Sequence, residues 1–314
     1  MQHKIIEILS NQIRTLMEKC TLDGGKLQEI RLRTGQPLWV LHNGCGYLLS
    51  ENGEVVKHKK EAYLVEEKDL RQTLEYASEY SLYAYENEKR QGFLTISGGH
   101  RIGLAGSVVV EQGKIKNIVN ISMLNIRVAC EYIGCAKEIM SFLVEGKEVK
   151  NVLIVSPPGG GKTTLLRDVI RNLSSEQYGY TVGVVDERGE IAACYRGVPQ
   201  NDLGITTDVL DGCPKGEGME MLLRSMAPDV IAVDELSVKE KEEVMIASNG
   251  GCKILATIHG ENLQQVEKKG WINGGDDNVC FDRIILMKNR FHPGKIEKVY
   301  DKDQKVIWAD KEMV

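Results

Sequence analysis

No apolar run in this 314-residue chain approaches the roughly 18 residues that a membrane-crossing helix needs, and the N-terminus has no apolar core of signal-peptide type. The eight cysteines are at positions 20, 45, 130, 135, 194, 213, 252 and 280. They contain no Cys-x-x-Cys pair, and no histidine stands near Cys130 and Cys135 at zinc-ligand spacing. A metal site and a disulfide framework are therefore both disfavoured; reduced, mostly buried thiols in a cytosolic protein are expected. A large excess of charge of either sign is also missing, with 40 Lys and Arg against 45 Asp and Glu. A formal net charge of −5 gives no global attraction to nucleic-acid phosphates or anionic lipid. There are no internal repeats or low-complexity tracts. Neither an Asn-Lys-x-Asp base-reading motif nor a Leu-Ser-Gly-Gly signature occurs, which disfavours a GTPase and an ABC-type ATPase.

What is present is ordinary for a globular protein: 42% hydrophobic and 27% charged residues, with only seven prolines. The length allows two domains, each with its own core. In residues 1–19, Ile5, Ile6, Leu9, Ile13 and Leu16 recur at helical spacing and predict one amphipathic helix. Short strands are expected at 27–33, 37–41 and 44–49, with Asn-Gly turns at 43–44 and 52–53. A helix is expected over 68–81, then strands at 92–97, 101–110 and 115–127 around a Gly98-Gly99-His100 turn. This predicts a smaller α+β domain over 1–127.

From about Gly134 the pattern changes to apolar strands alternating with helices, at 152–155, 181–185, 230–233 and 253–258. That alternation predicts a mostly parallel sheet covered by helices on both faces, in a domain spanning 128–314. Residues 199–218, rich in glycine and proline, read as a mobile loop. The tail reads as a hairpin of 295–300 and 305–308.

The strongest chemical signal is Ser156-Pro157-Pro158-Gly159-Gly160-Gly161-Lys162-Thr163-Thr164 between a buried strand and a helix start. Glycines allow backbone N–H groups to wrap a polyphosphate, and the helix N-terminus adds partial positive charge. Lys162 would reach the β- and γ-phosphates of a nucleotide, and Thr163 would place a hydroxyl on Mg2+. Ser156 departs from the pattern, which has glycine there; a serine is less able to adopt the turn that opens such a loop. About seventy residues on, the apolar strand 230–233 ends in Asp234 and Glu235. Asp234 would hold the magnesium opposite Thr163, and Glu235 would polarise the attacking water. ATP and Mg2+ are the implied ligands, and an ATPase is the implied enzyme.

Other strand ends carry candidates because ligands bind outside the carboxyl ends of parallel strands. If the strand 253–258 lies between the two just described, Thr257 or His259 points near the γ-phosphate as a sensor. Asp186-Glu187-Arg188-Gly189-Glu190 ends another strand, where one carboxylate, with Glu187 the catalytic candidate, orders water or a partner arginine. Arg224 faces either phosphate or a carboxylate. In the first domain, Arg101 and Arg127 are candidates to reach a nucleotide cleft and stabilise the transferring phosphoryl group. For each candidate, a plain structural role for the same residue type stands beside the functional one.

Taken in order, Glu29-Ile-Arg-Leu-Arg-Thr-Gly-Gln-Pro-Leu38, Gly98-Gly-His-Arg-Ile-Gly103, Ile126-Arg-Val128, the phosphate loop, Val185-Asp-Glu-Arg188 and Val233-Asp-Glu235 resemble the stage III sporulation protein AA family of endospore-forming bacteria. That family is similar to the ATPases of type II and type IV secretion and pilus assembly. The resemblance covers nearly the whole chain. It implies a RecA-like P-loop ATPase core behind the N-terminal domain, assembled as a hexameric ring. It also implies a role energising a membrane-embedded, secretion-like sporulation channel, at the membrane on its cytosolic, mother-cell side. By the same resemblance, Asp186 to Glu190 takes the place of an acidic box, Ala256 to His259 that of a histidine box, and Arg101 and Arg127 that of arginines approaching the nucleotide. The four-cysteine zinc element of many such ATPases is missing, and Asp234-Glu235 stands where many have Gly-Glu. Two alternatives remain. One is a nucleic-acid-processing motor, with the basic run Lys288, Arg290, His292, Lys295 and Lys298 as its local support. The other is a nucleotide-binding scaffold with little turnover.

Overall fold

The computed structural model describes residues 2–22, 27–80, 89–90, 92–129, 131–272, 281–288 and 292–310. Cys130, Cys280 and Arg290, singled out in the sequence, lie outside them. The chain divides into two compact units: Met1–Cys130 with Ala193–Gln200, and Glu131–Ala192 with Asn201–Val314. The short segment Ala193–Gln200 therefore belongs to the first unit, although it lies deep within the second unit's stretch of sequence.

In the first unit, helices α1 (Gln2–Glu7), α2 (Asn11–Lys19) and α3 (Glu67–Ala77) accompany seven strands: β1 (Leu27–Arg33), β2 (Trp39–His42), β3 (Cys45–Leu49), β4 (Val55–Val56), β5 (Phe93–Ile96), β6 (His100–Glu111) and β7 (Lys114–Arg127). The sheet order is β4-β3-β2-β1-β7-β6-β5, with every pairing antiparallel. The β2–β3 turn has φ of 51° at Asn43 and 75° at Gly44, both left-handed, which is why Asn-Gly serves there. Ile5, Leu9, Ile13, Leu16, Leu70 and Leu74 join Ile30, Leu32, Ile102 and Ile126 in one core.

The single N-terminal helix expected from the periodicity is two. Ser10 breaks it, because its Oγ accepts from Ile13 N–H as the cap of α2 and donates to buried Asp69 at 2.7 Å. The apolar spacing survives the break, so periodicity alone does not reveal it. The arms of β6 and β7 beyond β5 and β1 expose Val108, Val110 and Ile115.

The second unit carries a mixed eight-stranded sheet, β12-β11-β13-β14-β10-β15-β16-β17. Its members are β10 (Val152–Ser156), β11 (Val182–Asp186), β12 (Thr207–Asp211), β13 (Val230–Val233), β14 (Lys253–His259), β15 (Arg283–Met287), β16 (Ile296–Asp301) and β17 (Val306–Ala309); a small β8 (Val144–Glu145) and β9 (Glu148–Val149) pair separately. Pairings from β12 through β15 are parallel, and the last two are antiparallel. Between the strands run α4 (Met140–Leu143), α5 (Lys162–Leu173), α6 (Lys215–Ser225), α7 (Lys241–Asn249) and α8 (Leu263–Lys268).

The central strands β10, β11 and β13 are buried at every residue, as parallel strands covered on both faces must be. Two expectations change here. The stretch read as a mobile loop over 199–218 contains the edge strand β12 and the start of α6. The strand β15, next to β10, was not anticipated from the sequence.

Candidate functional site

Strand order places β14 between β13 and β10, the condition set in the sequence for Thr257 and His259 to stand near the loop. Register then aligns Ser156 with His259 and Val233 with Ala256. The polar ends of three adjacent parallel strands thus converge beside the start of α5.

Gly161 caps α5 with φ 94°, and Gly159 has φ 76°; a side chain at either would be strained. Gly160 is needed for space, since an added Cβ would meet the Ser156 hydroxyl. This settles how Ser156 fits. It closes β10, is fully buried, has no left-handed backbone, and its Oγ donates to Pro157 O at 3.0 Å in the hollow above Gly160. The position needs no glycine because the tight turns fall later in the loop. Gly294 N–H in turn donates to Gly160 O at 2.8 Å, so the β15–β16 connection ties down the loop.

Lys162 and Asp234 are buried charged groups, 8% and 9% exposed. Lys162 Nζ lies 2.7 Å from Glu235 Oε1 and 3.7 Å from Asp234 Oδ1. Thr163 Oγ1 donates to Asp234 Oδ2 at 2.7 Å. Thr257 Oγ1 donates a short bond to Asp234 Oδ1 while accepting Glu235 N–H at 2.9 Å. His259 Nε2 meets Glu235 Oε1 at 2.9 Å, and its buried Nδ1 has no hydrogen-bond partner among the described residues; facing a carboxylate, Nε2 is placed as the donor. Glu235 adopts φ 56°, a left-handed conformation uncommon outside glycine. Burial opposes ionisation of Glu235, but the hydrogen bond and charge of Lys162, with His259 and Arg188, outweigh it and hold the carboxyl below its ordinary pKa.

The acidic run after β11 divides by role. Asp186 is buried and accepts backbone N–H groups from Glu190, Ile191 and Ala192 at 2.8–3.0 Å, so it shapes the loop rather than facing solvent. Glu187 pairs with Lys215 Nζ at 3.3 Å, and that lysine also donates to Glu235 O at 2.8 Å. Arg188 Nη1 reaches Glu235 Oε2 at 2.7 Å. From α5, Arg167 donates to Ile191 O and Glu190 O, both at 2.9 Å. Arg167 and Lys215 were missed in the sequence, and Arg188 was quoted there only within the Asp186–Glu190 run and the Val185–Arg188 motif, with no role of its own. Nothing local separates the three from charged, solvated positions.

Arg224 resolves to a carboxylate, pairing with Glu220 one helical turn away at 3.2 Å. In the basic run, Lys288 pairs with Asp310 at 2.7 Å and Lys298 with Glu297 at 3.5 Å. In the first unit, Arg101 and Arg127 are direct cross-strand partners. Arg101 stacks on Phe93 with 4.8 Å to the ring centroid, and Arg127 Nε is 4.0 Å from Glu29 Oε1.

Hard oxygen donors from Thr163 and Asp234 suit Mg2+, which binds through one or two protein groups and completes its shell with water and phosphate. Beside the start of α5 opens a cavity of about 590 Å³, lined among others by Tyr132, Gly161, Thr164, Pro293, Gly294 and Trp308. Cys135 also lines it, and burial and then the Asp168 charge push its thiol up to about 12, which disfavours the thiolate.

Comparison with known proteins gives the fold and family. The pilus retraction motor PilT with bound ADP superimposes with a TM-score of 0.57 at 17% identity, covering 90% of this chain and 77% of that one. The ATPase DotB of Legionella pneumophila gives 0.53 at 14%, covering 83% and 72%. The chain thus shares the fold of these proteins: the second unit is an α/β core with a largely parallel sheet, and the first a smaller domain with an antiparallel sheet. Stage III sporulation protein AA of Bacillus subtilis (strain 168) is 35% identical over 305 residues, 96% of this chain and 94% of that protein. The family model for sporulation stage III, protein AA matches residues 1–307, and the chain belongs to that family.

Proposed function

We propose that the chain is an ATP-hydrolysing motor that energises a membrane-embedded, secretion-like channel during endospore formation. The observation that carries the enzymatic part is the convergence of Lys162, Thr163, Asp234, Glu235 and His259 at the ends of three adjacent strands. Lys162 would leave Glu235 for the β- and γ-phosphates, with the backbone of 157–161 wrapping them. Thr163 and Asp234 would hold Mg2+, whose charge would offset that of the transferring phosphoryl group. Glu235 would then orient a water and accept its proton, yielding ADP and phosphate. His259, bonded to the same carboxylate, would report phosphate occupancy. Glu187 acts through Lys215 on the backbone of Glu235. The cavity beside Thr164 has the size and an aromatic lining suited to a nucleotide base.

Assembly as a hexameric ring is the second part of the proposal. The adjacent Arg101 and Arg127 are the side chains offered to a nucleotide, and the named relatives, a retraction motor among them, support the motor role. The division of labour would follow residues 1–127 and 128–314, with Ala193–Gln200 grouped with the first unit. By the resemblance to the sporulation family, membrane proteins of the channel would recruit the chain from the cytosolic, mother-cell side; no helix among the described residues is long and apolar enough to cross a membrane. A nucleic-acid motor has less support, because Lys288 and Lys298 are engaged by carboxylates.

The test is steady-state ATP hydrolysis by the full chain, alone, with duplex or single-stranded DNA, and with vesicles carrying the channel's membrane proteins. Stimulation by the vesicles and none by DNA is expected. A salt-sensitive stimulation by DNA would replace this reading with the nucleic-acid one.

A further inference from the structure

Glu235 is surrounded by donors. Lys162 and His259 meet Oε1 and Arg188 meets Oε2, all within 2.9 Å. A carboxylate bound by lysine, arginine and imidazole presents the charge and acceptor geometry that a terminal phosphate would present to the same three groups. With both oxygens so engaged, Glu235 has little capacity left to orient a water.

The anchoring of Arg188 differs from that of its neighbours. Its loop is fixed from inside by the three N–H bonds to Asp186 and by the two bonds from Arg167. Its side chain is 64% exposed, so its ion pair with Glu235 is weakly held and readily exchanged. The backbone is therefore fixed, and the guanidinium can move between partners at the cleft formed by Asp186, Glu187, Arg188, Lys215, Asp234 and Glu235.

We infer that Arg188 is a γ-phosphate ligand supplied by the same chain that carries the phosphate loop, and that Glu235 occupies its place until a triphosphate arrives. The inference rests on reading the phosphate loop and the carboxylates that face it as an ATP site. Transfer of Arg188 and Lys162 from Glu235 to the phosphates does two things together. It grips the third phosphate, and it releases the carboxylate toward water. Arg188 then distinguishes a triphosphate from a diphosphate, and the base becomes available only when there is something to hydrolyse.

The experiment is an equilibrium titration of the full chain, with Mg2+, against fluorescent β,γ-imido-ATP and fluorescent ADP. Wild type, Lys162→Ala, Arg188→Ala, Arg188→Lys and Glu235→Gln are compared, with thermal melting to show that each is folded. Loss of a charge-assisted hydrogen bond predicts a weakening of imido-ATP binding by roughly 10- to 100-fold in Arg188→Ala, with ADP binding within about twofold. Arg188→Lys should recover part of the loss, and Glu235→Gln, lacking the competing anion, should bind imido-ATP more tightly than wild type. If Arg188→Ala binds imido-ATP as well as or better than wild type, the arginine merely clamps Glu235 and the inference is overturned. Equal losses for both nucleotides overturn it too, since they indicate a structural role. The underlying site is judged separately, by whether wild type binds either nucleotide and Lys162→Ala does not; if that fails, both readings fall.

Discussion

Asp168 on α5 shows how a charged residue can serve the site without touching it. It is buried, and its carboxylate accepts Ala136 N–H at 2.8 Å and Arg171 Nη2 at 2.8 Å. Burial opposes its ionisation, but N–H groups of Ala136 and Gly134 and the Arg171 guanidinium outweigh it, leaving the carboxyl below its ordinary value of 3.8. A group whose pKa is depressed by folding stabilises the fold above its unfolded pKa, and that stabilisation is lost as pH falls through the folded value. Asp168→Asn should therefore lower stability by about 1.5–3 kcal/mol at pH 7. The gap from wild type should narrow as pH drops below about 4, as read by urea unfolding at a series of pH values. A gap independent of pH would mean that ionised Asp168 contributes nothing.

At this scale the sequence reveals side chains whose position follows from strand geometry. Lys162, Thr163, Asp234, Glu235 and His259 are such residues, because parallel strands end together where ligands bind. Arg167, Arg188 and Lys215 are not. Their roles depend on the path of the 186–192 loop, which is set by bonds to a buried Asp186 that looks, in sequence, like one more solvated acid.

Among the elements, buried parallel strands were the most legible, since unbroken apolar runs such as Val152–Val155 and Val230–Val233 have few other uses next to turn residues. The edge strand Thr207–Asp211, with no buried residue, lacks that signature, and so it merged with the surrounding glycines and prolines. Arg283–Met287 is apolar, but a run that short does not separate strand from helix. The break at Ser10 was hidden for another reason. It depends on partners far along the chain: Ser10 N–H donates to Thr73 Oγ1, and Asp69 accepts from Ser10, Tyr63 and the Glu66 backbone. Those bonds fasten α2 to α3. Asp69→Ala would leave the Ser10 and Tyr63 hydroxyls and the Glu66 N–H short of an acceptor, and should destabilise the first unit by about 3 kcal/mol. Asp69→Asn should cost less. Calorimetric melting of the first unit's transition reads both; equal melting of all three proteins would show the network to be dispensable.

For the whole molecule, the sequence separates the two characters of the chain but not the lending of Ala193–Gln200 to the first unit. There Tyr195 and Arg196 bond Glu79 at 2.7 and 2.8 Å, and Gln200 accepts Gly98 N–H at 2.7 Å. Such contacts join residues about a hundred positions apart and leave no local pattern. Their consequence is covalent: the loop that begins with Asp186, Glu187 and Arg188 runs directly into a segment of the first unit.

The central claim concerns the chemistry at Glu235, and single-turnover hydrolysis of radiolabelled ATP by excess protein tests it most directly. Wild type should convert bound ATP to ADP and phosphate. Glu235→Gln should bind ATP and retain it, with turnover slower by about 10²–10⁴-fold, while Lys162→Ala should fail to bind productively. Equal turnover in all three proteins would contradict the account, and the site at the ends of β10, β13 and β14 would not be where ATP is cleaved.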